Sequence, residues 1–126
     1  MEKQILCSAN APAAIGPYSQ AVKVGNTIYV SGQLPIDPAT KSFSGDDAAS
    51  QTRQSLENIR AVLASAGVQM DHVVKTTVYL KDMKEFSAMN QVYSQYFSGG
   101  FPARVAVEVA RLPQDAKVEI EAVAVL

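Results

Sequence analysis

Arg104 is the residue of this chain best suited to hold an anion. It follows Phe101-Pro102-Ala103 and opens the run Val105-Ala106-Val107-Glu108-Val109. Side chains of a strand repeat every two residues, so Val105, Val107 and Val109 share one face. Arg104 then points to the other, beside the small Ala106. A guanidinium stays charged and presents its donors as a rigid fork that matches a carboxylate in two parallel bonds. The pattern predicts a pocket for a small carboxylate; the plainer alternative is an arginine in a surface or interface ion pair.

Glu119 is the next candidate. In Val118-Glu119-Ile120-Glu121-Ala122 the two glutamates share a face with Val123 and Val125. A carboxylate on a partly covered face can orient a water or act as a general base. Alternatively both glutamates are solvated, or one balances Arg104. Asn90 falls on a helical stripe with Phe86, Tyr93 and Phe97. A buried amide there must find partners, either in a ligand or in a neighbouring strand. Tyr18, after Gly16-Pro17, and Ser31-Gly32, at a strand end, are placed to line a pocket. Glycine lets backbone approach a ligand, and tyrosine offers a ring and a hydroxyl.

Several elements must position these residues. Ser19 to Val24 and Thr27 to Ser31 are expected as strands joined by Gly25-Asn26. Residues 10–18 and 34–44 carry prolines and no steady period, and are expected as loops. Asp46 or Asp47 caps a helix running to about Ala66, with Leu56, Ile59, Leu63 and Ala66 as its apolar stripe and Gly67 as its stop. Val73 to Lys81 is β-branched, with Val74, Thr76, Val78 and Leu80 expected on one face. A second helix is expected from about Met83 to Phe97, ended by Ser98-Gly99-Gly100. The Arg104 strand, a turn at Gln114-Asp115 and a last strand from Val118 to Val125 complete the order ββ-α-β-α-ββ. The simplest packing is α+β, with two helices on one face of a mixed β-sheet. The last strand ends apolar on both faces, so the second face needs a cover. A homo-oligomer is expected to supply it, and any pocket on that face would lie between subunits.

The 126 residues are expected to form one domain, residues 1–126. With 48% apolar and 18% charged residues, the composition is that of an ordinary globular chain. A net charge of −1, from 11 basic and 12 acidic residues, leaves no footprint for nucleic acid or an anionic membrane. The single Cys7 cannot form an internal disulfide and fits a reducing compartment. The N-terminal residues lack the apolar core of a signal peptide, and no apolar run approaches the ~20 residues of a membrane span. A cytoplasmic protein is expected. One histidine, His72, and one cysteine provide neither a His/Cys metal cluster nor a Ser-His-Asp set, and no phosphate-binding glycine loop is present. No metal or cofactor is expected.

A wider set of motifs runs in a fixed order: Ala11-Pro12-Ala13-Ala14-Ile15-Gly16-Pro17-Tyr18-Ser19-Gln20, Val30-Ser31-Gly32-Gln33, Lys75-Thr76-Thr77-Val78-Tyr79-Leu80, Phe101-Pro102-Ala103-Arg104, Val107-Glu108-Val109-Ala110-Arg111-Leu112-Pro113 and Val118-Glu119-Ile120-Glu121-Ala122. Over nearly its whole length the chain resembles the Rid family, the YjgF-type reactive intermediate deaminases, and within it the RidA branch. The resemblance implies a chorismate-mutase-like fold and a homotrimer whose sheets form a central β-barrel, with sites in the clefts between subunits. It implies hydrolysis of 2-imino acids, such as 2-iminobutanoate and 2-iminopropanoate, to 2-keto acids and ammonia. Such imines arise from dehydratases that use pyridoxal phosphate. Arg104 would hold the substrate carboxylate, and Glu119 would position the attacking water. Backbone groups around Gly32 and Ala106 would orient imine and water, with Tyr18 and Asn90 lining the cleft and Ser31 at its wall. Some members carry cysteine where this chain has Ala106, and the Ser98-Gly99-Gly100 connection is shorter than in some relatives. A ribonuclease or translation-inhibitor activity, also attached to the family, is disfavoured by the charge balance and the missing histidine pair. A non-enzymatic trimer binding small carboxylates through Arg104 fits the same residues.

Overall fold

The computed structural model describes residues 2–126. Its strands are Lys3–Leu6 (β1), Ala21–Val24 (β2), Thr27–Gln33 (β3), Ile36–Asp37 (β4), Ser42–Phe43 (β5), Val73–Leu80 (β6), Ala103–Glu108 (β7) and Val118–Val125 (β8). Its two α-helices are Ala48–Ala64 (α1) and Phe86–Tyr93 (α2). Six strands form one mixed sheet in the order β1-β2-β3-β8-β6-β7, parallel only between β6 and β7. β4 and β5 make a small hairpin inside the stretch expected as a loop.

The connections place both helices on one face. β3 and β6 each run antiparallel to β8, so β3-α1-β6 and β6-α2-β7 both join parallel strands and step across the sheet in the same direction. Right-handed crossovers of that kind put their helices on the same side. α1 rests on β3 and β8, and α2 rests on α1. Ile28, Val78, Leu80, Val118, Ile120 and Ala124 of the sheet pack beneath Leu56, Ile59, Val62 and Leu63 of α1, all fully buried. Asp47 is the cap of α1, its carboxylate accepting from the Ser50 amide at 2.7 Å. Gly67 leaves the helix at φ +70, a conformation that suits glycine.

Three local expectations are corrected. β1 went unread because only its Leu6 is buried, so Lys3-Gln4-Ile5 of this edge strand show no alternation. The helix expected from Met83 to Phe97 is α-helical only from Phe86 to Tyr93, with tighter single turns at Met83–Glu85 and Ser94–Tyr96. Asp82 accepts from the Lys84 amide at 2.9 Å and Ser94 donates to the Gln91 carbonyl at 2.8 Å. Such local side-chain bonds compete with the regular helix at its ends. Finally, Val74 does not share the buried face of β6. A bulge between Val73 and Lys75 turns Val73 inward and leaves Val74 47% exposed.

The second face of the sheet is left open by the chain. On it lie Tyr29, Val105, Val107 and Val125, exposed by 54%, 44%, 37% and 39%, together with Tyr79, Glu119 and Glu121. No helix among the described residues is long and apolar enough to cross a membrane.

Candidate active site

Arg104 sits on edge strand β7 with its side chain on the helix-covered face. The register sets it beside Thr76 and sets Ala106 beside Val78, both buried on that face. Val105 and Val107 point to the open face, as the alternation requires. The Arg104 guanidinium lies 4.8 Å from the Tyr93 ring centroid and 5.4 Å from that of Phe86. Its Nη1 donates to Asn90 Oδ1 at 2.7 Å. Among the described residues the ion pairs are Arg60–Glu57 and Lys81–Asp115, so no carboxylate holds Arg104. Asn90 therefore makes the contact its position allowed, but at the exposed rim of α2 rather than in a buried stripe. Two turns of helix carry the stripe from Phe86 through Met89 to Tyr93, and Asn90 lies just outside it.

Glu119 lies on the opposite face. Buried Val118, Ile120, Ala122 and Ala124 alternate with half-buried Glu119, Glu121 and Val123 along β8. Burial pushes the Glu119 carboxyl above its ordinary value, and the charge of Glu121 adds to the shift. Tyr79, paired with Glu119 across the strands, donates its phenol proton to Glu121 at 3.1 Å. Gly32 is packed against the Glu119 carboxylate. β3 carries an extra residue between Val30 and Gln33, and a Cβ built on Gly32 would lie 2.8 Å from Glu119 Oε2. Ser31, next in this bulge, is fastened to the preceding loop, its hydroxyl donating to the Ser19 carbonyl at 2.6 Å. Tyr18 stands 54% exposed at the end of that loop. Buried Gln20 anchors the loop, accepting from the Ser8 amide at 2.6 Å and donating to the Pro12 carbonyl at 2.7 Å.

The predicted residues thus fall into two groups. Asn90, Arg104 and Ala106 belong to the helix-covered side of the β7 edge. Ser31, Gly32 and Glu119 cluster around the bulge of β3, with Glu119 on the open face and Tyr18 on the loop that Ser31 fastens to that bulge. Two shallow concavities of the single chain belong to neither group. One of about 310 Å³ lies against the outer helices beside Arg60, Met70 and Tyr96; one of about 190 Å³ lies on the open face beside Tyr29, Lys75 and Glu121. Sequence reasoning missed the aromatic seat of Arg104. Phe86 and Tyr93 were legible as inner-stripe aromatics, but nothing in their spacing said that an arginine from another element would lie on them. His72 serves the backbone, its Nδ1 accepting from the Gln69 amide at 3.3 Å.

Residues 8–126 match the profile of the endoribonuclease L-PSP family. The chain is 55% identical to a RutC family protein of Pyrococcus horikoshii over 97% of both chains. It is 49% identical to a 2-iminobutanoate/2-iminopropanoate deaminase of Salmonella typhimurium over 95% of both. Its fold is similar to that of YyfA from Yersinia pestis, a solved member of the conserved Rid protein family, with a TM-score of 0.96 and 47% identity over 99% of this chain and 100% of that one.

Proposed function

The chain belongs to the endoribonuclease L-PSP family, the Rid proteins, and from that premise we propose that it hydrolyses small 2-imino acids to 2-keto acids and ammonia. The observation that carries this is Arg104. Its guanidinium is seated on two ring faces and one amide oxygen, with no acidic partner in the fork. An arginine so held is ready for a planar carboxylate, the group every 2-imino acid carries. The 2-iminobutanoate/2-iminopropanoate deaminase of Salmonella, similar along nearly the whole chain, supports the same substrate class.

In this mechanism Arg104 fixes the carboxylate and Asn90 keeps the fork in place. Tyr18 and Ser31 line the cleft, while the backbone around Gly32 and Ala106 orients the imine and the water. Glu119, with its raised proton affinity, accepts a proton as water attacks the imine carbon. The C=N π pair moves to nitrogen, which takes that proton from Glu119, giving a neutral carbinolamine. In its collapse the Glu119 carboxylate takes the hydroxyl proton and hands it to nitrogen as the C–N bond breaks, which forms the ketone, releases ammonia and leaves Glu119 ionised. Imines of this kind already react with water, so orientation supplies most of what is needed.

Arg104 and Glu119 face opposite sides of one sheet, so one chain does not present both to one substrate. We therefore propose a homotrimer in which the open faces meet and each site joins the Arg104 side of one subunit to the Glu119 side of the next. A reducing, cytoplasmic setting suits the exposed, unpaired Cys7. Ribonuclease chemistry has less support: the net charge is −1, and the single His72 is engaged by backbone.

The test is ammonia release from 2-iminobutanoate generated in situ by a threonine dehydratase, with wild type and Arg104→Ala compared. Acceleration by wild type alone supports the proposal. No acceleration by either overturns it in favour of a carboxylate-binding trimer, and full activity of Arg104→Ala removes the anchor from the mechanism.

A further inference from the structure

We propose that Tyr93, locked by Thr76, is a positioning residue that holds the Arg104 fork in the orientation a carboxylate requires. The three side chains close a triangle. Sheet register sets Arg104 beside Thr76. The Thr76 hydroxyl lies 2.7 Å from the Tyr93 phenol oxygen. The Tyr93 ring carries the Arg104 guanidinium 4.8 Å from its centroid. Thr76 and Tyr93 are only 1% and 3% exposed. Their mutual hydrogen bond is therefore not exchanged for water, and losing it leaves a buried hydroxyl without a partner.

The need for such a device follows from where Arg104 stands. It is on an edge strand and lacks an acidic partner, so its long side chain has many rotamers to choose from. A carboxylate neighbour would fix the guanidinium by filling the very fork that a ligand must use. An aromatic face holds the flat of the guanidinium and leaves its N–H edge free. Tyr93 can do this only if its ring is itself fixed. α2 is short and ends at Tyr93, and the bond to Thr76 ties that end to the strand beside Arg104.

The inference rests on the proposed role of Arg104 as carboxylate anchor, and the experiment separates the two. Wild type, Thr76→Val, Thr76→Ser and Tyr93→Phe are compared in steady-state hydrolysis of 2-iminobutanoate and in calorimetric titration with 2-oxobutanoate. Thr76→Val and Tyr93→Phe should each raise KM and the Kd for 2-oxobutanoate about two- to fivefold with kcat nearly unchanged. Thr76→Ser, which keeps the hydroxyl, should match wild type. The double variant Thr76→Val/Tyr93→Phe should be no worse than the weaker single, because both remove one bond. Unchanged KM and Kd in both single variants, or a fall in kcat at constant KM, would overturn the positioning role. If wild type binds 2-oxobutanoate but does not hydrolyse the imine, the deaminase mechanism fails and the Kd series alone decides this inference. A wild type that neither binds nor hydrolyses overturns both.

Discussion

The carboxylate of Glu119 occupies the space where Gly32 has no side chain. A Cβ at that position would meet Oε2 at 2.8 Å, Cδ at 3.1 Å and Cγ at 3.3 Å. The φ of Gly32 lies outside the left-handed region, so the backbone itself accepts alanine. The clash therefore falls on the movable end of Glu119. Gly32→Ala is expected to fold with nearly the wild-type Tm and to lose about ten- to a hundredfold in kcat/KM, because the base is displaced by about an ångström. Wild-type kinetics in a folded Gly32→Ala protein would show that the position of Glu119 does not matter.

Arg104→Lys keeps the charge and discards the fork. Lysine is a compact point charge and cannot make two parallel bonds to a carboxylate. A charge-assisted bond to a carboxylate contributes about 1.5–3 kcal/mol, so kcat/KM for the imine is expected to fall about ten- to a hundredfold. Arg104→Ala should abolish turnover. Both variants should elute from a sizing column as wild type does, since the contacts of Arg104 are with Asn90, Phe86 and Tyr93 of its own chain and the proposed trimer is held by the open faces. A lysine variant with unaltered KM would argue that any positive charge suffices.

The pH dependence follows from Glu119. Burial, with Glu121 second, makes the folded chain hold this proton more tightly than the unfolded chain does. Protonated Glu119 thus contributes stability that is full below the ordinary carboxylate range and is lost as pH rises through the raised value. At fixed protein concentration, wild type should lose Tm relative to Glu119→Gln as pH rises from the ordinary carboxylate range through the raised value. Activity should move the other way, kcat/KM rising with pH as the base ionises. Glu121→Gln removes a neighbouring negative charge and should shift that inflection to lower pH. An inflection that stays in place would assign it to another group.

The face on which each of these side chains lies was legible wherever strict alternation governs. Val105 and Val107 against Arg104, and Ile120 and Ala122 against Glu119 and Glu121, follow from the two-residue period alone. The cap at Asp47 and the stop at Gly67 were legible for the same local reason. What escaped was set by tertiary structure. One extra residue at Val74 breaks the period, and no single-strand pattern announces a bulge whose cause is the pairing with β8. The Arg104–Tyr93–Thr76 triangle joins two strands and a helix, so its spacing in the chain is 11 and 17 residues and carries no signal. The opposed directions of Arg104 and Glu119 were implicit in the pattern, but their consequence for the site appears only once the helices are seen to cover a single face.

That opposition makes the subunit arrangement testable with two inactive proteins. If each site takes Arg104 from one subunit and Glu119 from the next, Arg104→Ala and Glu119→Gln should each be inactive alone. Mixed by refolding together, they should regain activity. In a ring of three assembled at random from equal amounts, each mixed trimer has one junction where an intact Arg104 faces an intact Glu119. Three quarters of the trimers are mixed, so about a quarter of wild-type activity is expected. If one chain held both residues of a site, every site in the mixture would carry a defect and no activity would return. Recovery well above a quarter would mean that one of the two variants is not inactive in its own site. The quantity to measure is ammonia released per subunit after refolding at several ratios, with a maximum expected at equal amounts and a fall to zero at either end.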